Sequence, residues 1–200
     1  MSPKPDVSEE RTAQIIEAAT ALFAGKGFDR ATMEDIADQA GINKATIYLY
    51  FDSKDALIRA IAEALFAQEL ADLQAAHDRP GTATERLTAY YEALIADEAE
   101  MLPLMPILYE FYALGLRRED VRAVVADFIG RSSALLEAII QEGIESGEFR
   151  PTDARQAARA LDALLSGTIL HWVYAPEEVD VDAQLRYSVR LALQGLLNHS

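Results

Sequence analysis

The chain has 200 residues, 50% of them hydrophobic, with a mean hydropathy of zero. That is enough apolar surface to order one domain or two small ones, which excludes disorder as the default. Cysteine is absent, excluding disulfide frameworks and thiolate metal centres. The net charge of −15 excludes a protein that coats nucleic acid through bulk positive charge, because a field of that sign repels phosphate.

The charge is unevenly spread. Residues 1–60 hold seven Lys and Arg against ten Asp and Glu, a net −3, which leaves −12 for the remainder. All four lysines, Lys4, Lys26, Lys44 and Lys54, fall in that first stretch. An acidic body with a local cationic edge can still engage DNA through the edge. The opening MSPKPDVSEE lacks the apolar core of a signal peptide, and no stretch approaches the roughly 18 uninterrupted apolar residues of a membrane span. The expectation is a cytoplasmic protein with no membrane partner.

Residues 1–7, with Pro3 and Pro5, read as a flexible arm. From Ser8, the residues Ile15, Ala18, Ala19, Leu22 and Phe23 recur at helical spacing, with Ser8 as cap and Gly25 or Gly27 as terminator. Thr32 and Asp35 form a Thr-x-x-Asp capping box ahead of a short helix over Met33–Gln39. Gly41 follows, and Asn43 opens a third short helix running to about Tyr50. Ser53 caps a long fourth helix, carried by Leu57, Ile61, Leu65, Leu70 and Leu73 and broken by Arg79, Pro80 and Gly81. Thr82 and Glu85 make another capping box, before a helix to about Glu98. A Pro-interrupted stretch covers Met101–Leu116. Three further helices run over about Glu119–Gly147, Asp153–Tyr174 and Asp182–His199, with a turn over residues 148–152. Strand alternation and fixed-period repeats are absent, so the class is all-α.

Residues 33–49 meet the demands of a helix-turn-helix. Ala37 lets two steeply crossed helices approach, and Gly41 sits in the turn, where positive φ costs glycine nothing. Ile36, Ala40, Ile42 and Ile47 clamp the pair toward Leu22, Phe23 and Phe28. Lys44, Ala45 and Thr46 then occupy the first turn of the third helix, the part that reaches base edges in a major groove. Lys44 donates to guanine or phosphate, Thr46 to either, and the Ala45 methyl suits a thymine methyl. Tyr48, Tyr50 and Lys54 lie toward the flanks, where phosphates would be met.

With Phe23, Gly27-Phe28, Thr32, Ile36-Ala37, Ala40-Gly41-Ile42, the run Lys44 to Phe51, Lys54 and Leu57 in place, residues of about 10–60 resemble the N-terminal domain of TetR-family repressors. The resemblance implies a domain over residues 8–52 that binds an operator in double-stranded DNA, and a helical ligand-binding and dimerisation domain over residues 53–200. By position it implies that Lys44, Ala45, Thr46 and Tyr50 approach bases while Thr32, Tyr48 and Lys54 hold phosphates. This chain has Ala45 where the family often has glycine, Tyr50 where histidine is frequent, and an acidic Asp52 nearby.

A lone recognition helix reads too few base pairs, so this architecture points to a two-fold homodimer. Ala160, Ala163, Gly167, Leu170 and Tyr174 form one stripe of the penultimate helix, opposite a second stripe through Leu161, Leu165 and Trp172. With Leu185, Val189, Leu193 and Leu196 of the last helix, the first stripe gives the expected intersubunit four-helix bundle. The resemblance further implies a pocket for an apolar small-molecule effector, lined by Tyr90, Met105, Tyr109, Phe111, Tyr112, Phe128, His171 and Trp172. Taken alone, His171 reads as a satisfied interior histidine rather than a metal ligand.

Enzymatic readings find no support. Only three histidines occur, with no phosphate loop, zinc-helix or serine-elbow motif, so no cofactor, metal or catalytic residue is expected. The alternative is a helical small-molecule or lipid carrier, or scaffold, with a non-functional helix-turn-helix.

Overall fold

The computed structural model describes residues 7–96 and 101–198. Its elements are α1 (Val7–Lys26), α2 (Met33–Gln39), α3 (Lys44–Ile47), α4 (Lys54–Asp78), α5 (Ala83–Ala96), a 3-10 turn (Leu102–Leu104), α6 (Met105–Gly115), α7 (Glu119–Glu145), α8 (Ala154–Tyr174) and α9 (Val181–Leu196). The all-α expectation holds among the described residues, whose only β feature is an isolated bridge between Phe149 and Leu197.

Several boundaries move for physical reasons. Ser8 lies inside α1 rather than capping it, and its carbonyl accepts the Thr12 hydroxyl at 2.8 Å. The proposed arm over residues 1–7 otherwise lies outside the described residues, as do the last turn expected for α5 at residues 97–98 and the end of the final helix at His199. Helix α3 stops at Ile47 instead of Tyr50, because Leu49 N–H bonds to Thr46 O and Tyr50 N–H to Ile47 O, three residues back, which tightens the chain into a turn. Helix α9 stops at Leu196, because the chain then extends alongside residues 148–150. Arg150 N–H donates to Leu196 O at 2.8 Å and Asn198 N–H to Glu148 O at 3.1 Å.

By backbone proximity the chain groups into two compact units, Met1–Leu65 with Pro103–Ala123 and Phe66–Leu102 with Val124–Ser200. In the first unit α1 packs on α2 and on α6, and α2 packs on α3. Its buried apolar residues include Ile15, Ala19 and Phe23 of α1, Ile36 and Ala37 of α2, Ile47 of α3, and Leu57, Ile58 and Ile61 of α4. These are the helical-spacing positions of the sequence, so burial of one stripe per helix drives this assembly.

In the second unit α9 packs on both α8 and α5. The core gathers Leu73, Leu87, Tyr90, Leu136, Ile139, Ile140, Phe149, Leu161, Val189 and Leu193. Glu148 braces it from far away in sequence. Its carboxylate accepts the Ala83 and Thr84 N–H groups at 2.8 and 2.9 Å, capping α5 beside the local Thr82–Glu85 box. Burial raises the Glu148 pKa, but hydrogen bonds from Thr84 and Ala83 outweigh it and the net shift is downward.

Gly147, at φ +77°, turns the chain out of the end of α7. Gly143 matters through space instead: a Cβ there would stand 2.8 Å from the Ala83 Cβ and collide with the buried Phe149 ring. By contrast Gly130, on the same helix, is exposed with open space around it. Gly143→Ala is expected to cost about 1–3 kcal/mol through overpacking. Gly130→Ala should gain roughly 0.5–1 kcal/mol through helix propensity. Urea unfolding of the two variants checks this opposition of sign.

Candidate functional site

Two caps and one glycine position the third helix. At the end of α2, Gly41 N–H bonds to Asp38 O at 3.1 Å and Ile42 N–H to Ala37 O at 2.9 Å, with Gly41 at φ +63°. That paired geometry closes a helix on a left-handed residue and turns the chain sharply. Asn43 then accepts the Thr46 N–H on its side-chain oxygen at 2.8 Å, starting α3. From α1, the Gln14 side-chain amide donates to Ala40 O at 2.7 Å, satisfying an orphan carbonyl of the turn.

Of α3, only Ile47 is buried, at 0% exposure. Lys44 and Ala45 are exposed, Thr46 is half-buried, Tyr48 is 47% exposed and Tyr50 is half-buried. Leu49, which sequence reasoning did not single out, is 82% exposed in the turn that follows. Within the first unit, therefore, the helix is anchored by one side chain and presents the others outward.

The electrostatics divide these residues. Lys44 Nζ pairs with Glu34 on α2 at 3.1 Å, both well exposed, and Glu34 raises the Lys44 pKa. Thr46 Oγ1 bonds the Asn43 cap at 3.0 Å. Thr32 and Lys54 are committed more deeply. The Thr32 hydroxyl donates to Asp35 at 2.7 Å and accepts the Asp35 N–H at 3.1 Å. Lys26 joins the same carboxylate at 2.8 Å, and hydrogen bonds from Lys26 and Thr32 hold the Asp35 pKa at about 2. Lys54 Nζ donates to Phe28 O at 2.7 Å and lies 4.5 Å from the centre of the Phe28 ring. It closes the loop before α2 rather than joining the exposed set.

The eight residues expected around an effector divide between the units. In the first, Met105 and Phe111 are buried on α6, and Tyr109 and Tyr112 are half-buried in an edge-to-face pair 5.7 Å apart. In the second, Tyr90 is buried, Phe128 stacks on Phe66 at 4.1 Å and Trp172 is half-buried. His171 is exposed, contrary to the interior position expected, because it sits on the outer side of α8.

Sequence reasoning missed Glu69 and Asp162 in the second unit. Tyr90 OH donates to Glu69 Oε1 at 3.0 Å. Burial, then the charges of Asp162 and Asp72, push Glu69 up to about 7 against the pull of the Tyr90 bond. Burial also raises Asp162. On an amphipathic helix an isolated acid normally marks the solvent side, so no sequence pattern distinguishes these two.

The stripes expected at a subunit interface also separate. On α8, Ala160, Ala163, Leu170 and Tyr174 are exposed and Gly167 is half-buried. On α9, Leu185, Val189, Leu193 and Leu196 are buried in the core of their own unit, and Val189 and Leu193 also line a groove of about 420 Å³ against α5. The exposed apolar residues of α9 are Tyr187 and Leu191, 57% and 55% exposed. The helix carries two apolar stripes of the same period, and the denser one faces inward.

A helical chain that presents a cationic and phenolic helix-turn-helix, followed by a helical body, defines a class: the DNA-binding, ligand-responsive transcriptional repressors. Comparison with known proteins gives the family. Residues 15–61 match the profile of bacterial regulatory proteins of the tetR family, and residues 83–197 match the C-terminal domain of BetI-type transcriptional repressors. The chain is 30% identical to the uncharacterized HTH-type transcriptional regulator YfiR of Bacillus subtilis over 98% of both chains. It is 32% identical to the HTH-type transcriptional regulator TtgR of Pseudomonas putida over 87% of this chain and 85% of that one. Among solved structures, a putative transcriptional regulator from Pseudomonas aeruginosa superposes with a TM-score of 0.76 at 29% identity, covering 94% of this chain and 90% of the other. The protein belongs to the tetR family of bacterial regulatory proteins. A carrier with a vestigial helix-turn-helix is not favoured. No described helix is long and apolar enough to cross a membrane.

The two half-buried acids carry a pH signature. The Glu69 pKa is raised from 4.5 to about 7, so ionisation penalises the folded state. Stability is expected to fall as pH climbs through that window and to stay low above it. Asp162, also raised, acts with the same sign. Denaturant melts at about pH 5 and about pH 8 should show a stability loss in the wild type that Glu69→Gln reduces by up to about 3 kcal/mol.

Proposed function

We propose that this repressor binds a palindromic operator as a homodimer in the cytoplasm, offering Lys44, Ala45 and Thr46 to base edges, with Tyr48 and Tyr50 beside them. The observation that carries this reading is the burial of Ile47 alone on α3, which leaves its first turn free to enter a major groove. Thr32 and Lys54 take positioning roles, since Asp35 and the Phe28 carbonyl already engage their polar atoms. They fix the entry to α2 and the loop before it.

Dimerisation uses the exposed apolar residues of α8 together with Tyr187 and Leu191 of α9, because their burial against a second copy removes apolar surface from water. The effector is a small molecule with a largely apolar body. It acts by favouring a dimer whose recognition helices depart from the roughly 34–36 Å groove spacing, and its effect is bounded by its preference for that state. Helix α4 contributes residues to both units and is the segment assigned to carry the change.

Selection of bound fragments from the source genome, followed by gel shift on the recovered site, tests the DNA reading. A two-fold symmetric site is expected; absence of selective binding would overturn it. Lys44→Ala should change base preference at one position per half-site, whereas Tyr48→Phe should weaken binding to all sequences alike. Glu34→Gln removes the carboxylate beside Lys44. Affinity should then rise roughly threefold at low salt and converge with wild type as salt screens the difference. Leu170→Arg combined with Leu191→Arg should convert the dimer to monomer in light scattering and abolish cooperative occupancy of the full site.

A further inference from the structure

A groove of the second unit takes no part in DNA reading, and none of the eight residues expected around an effector lines it. It runs between α5 and α9 and holds about 420 Å³. Thr84, Thr88, Tyr91, Glu92 and Ile95 form one wall, and Arg186, Val189, Arg190, Leu193 and Gln194 form the other. Positions three and four apart recur along both walls, so each helix turns a single face to the groove. Tyr187 and Leu191, the exposed apolar residues assigned to the dimer, follow Arg186 and Arg190 by one position each and so lie about 100° further round α9. Dimer face and groove face are therefore distinct.

The groove has an apolar floor and a cationic lip. Tyr91, Ile95, Val189 and Leu193 are buried and form the floor. At the lip Arg186 is held by Glu92 and Asp182. Arg190, one turn further on, is exposed and has neither an ion-pair nor a hydrogen-bond partner among the described residues, and the same holds for the side chains of Thr88 and Gln194. Two arginines against one acid leave the lining at +1, on a chain whose residues after position 60 carry −12. A guanidinium that no carboxylate of this acidic surface has claimed, standing beside an apolar floor, complements a ligand with one negative charge and an apolar body. A phosphate dianion or a polyanion would need more positive charge than one uncommitted arginine supplies, and would meet the acidic field around it.

We propose that the groove between α5 and α9 is a second small-molecule site, for a monocarboxylate carried on a short apolar chain or ring. The apolar part lies on Tyr91, Ile95, Val189 and Leu193, and Arg190 holds the carboxylate through its planar fork, with the Thr88 hydroxyl and the Gln194 amide as neutral donors. The site stands independently of the effector reading above, since the two sets share no residue. An occupant touches both helices and so stabilises the second unit by mass action.

Calorimetry at about pH 7 with octanoate, 1-octanol and octylammonium separates the charge from the chain, because the acid is ionised there. At low salt octanoate is expected to bind about fivefold more tightly than 1-octanol, and octylammonium more weakly than either. Arg190→Gln changes an exposed side chain and should leave the urea midpoint where it is. In that variant octanoate should fall to the affinity of 1-octanol or below, while 1-octanol stays within about twofold of its wild-type value. Independently of any variant, a diazirine-bearing octanoate analogue photolysed on the wild-type chain should label residues 84–95 and 186–197 in mass spectrometry. Equal or tighter binding of either comparator, a preference that survives Arg190→Gln, no saturable octanoate binding, or labelling confined to other segments would each overturn the site. Gel shift on the operator reads the DNA-binding function separately, so failure of the groove and failure of the repressor reading are distinguishable.

Discussion

The DNA-reading end of this protein depends on how a four-residue helix is held in place. Such a segment has no stability of its own, since nucleating a helix fixes several residues for a single hydrogen bond. Here the deficit is made good from outside: Asn43 satisfies the first turn, Gly41 bends the chain into register, and Ile47 is driven completely under the surface. Because Ile47 supplies the buried anchorage, Lys44 and Ala45 of α3 are released from packing duty. The outward display of Lys44, Ala45 and Tyr48 is thus a consequence of how little of the helix is buried.

Legibility from sequence followed the range of the interactions. The α2–turn–α3 region was readable because its determinants are local: a capping box over Thr32–Asp35, a glycine at Gly41, and Asn43 three residues before the N–H it caps. Helix α9 was readable as a helix but not for its orientation, because its two apolar stripes share one period. The choice of Leu185, Val189, Leu193 and Leu196 as the inward set needed α5 and α8 as partners. Glu148 was unreadable as a cap, since it serves N–H groups more than sixty positions earlier in the chain. Glu69 and Asp162 gave no signal because a half-buried acid and a solvated acid look alike in one dimension. Lys54 read as a phosphate ligand from its place near the helix start, and only three-dimensional proximity revealed the Phe28 carbonyl as its partner.

The charge distribution gains meaning from the fold. Most of the −15 resides outside the DNA-reading segment, so long-range repulsion opposes casual adhesion to nucleic acid and leaves recognition to short-range contacts. The pairing of Lys44 with Glu34 extends the same logic to a single side chain. On the proposed reading, a DNA phosphate or base edge that recruits Lys44 would first have to outcompete a carboxylate, which trades affinity for discrimination.

The segment around Glu148 and Phe149 has a mechanical implication for the second unit. Its carboxylate holds the beginning of α5, its backbone holds the end of α9, and its aromatic ring fills the notch left by Gly143. Three remote parts of the chain are thereby laced at one knot. Fraying of the terminal helix would loosen the cap of α5 and unseat the ring at once, so this end of the unit is built to yield as a whole rather than strand by strand of its lacing.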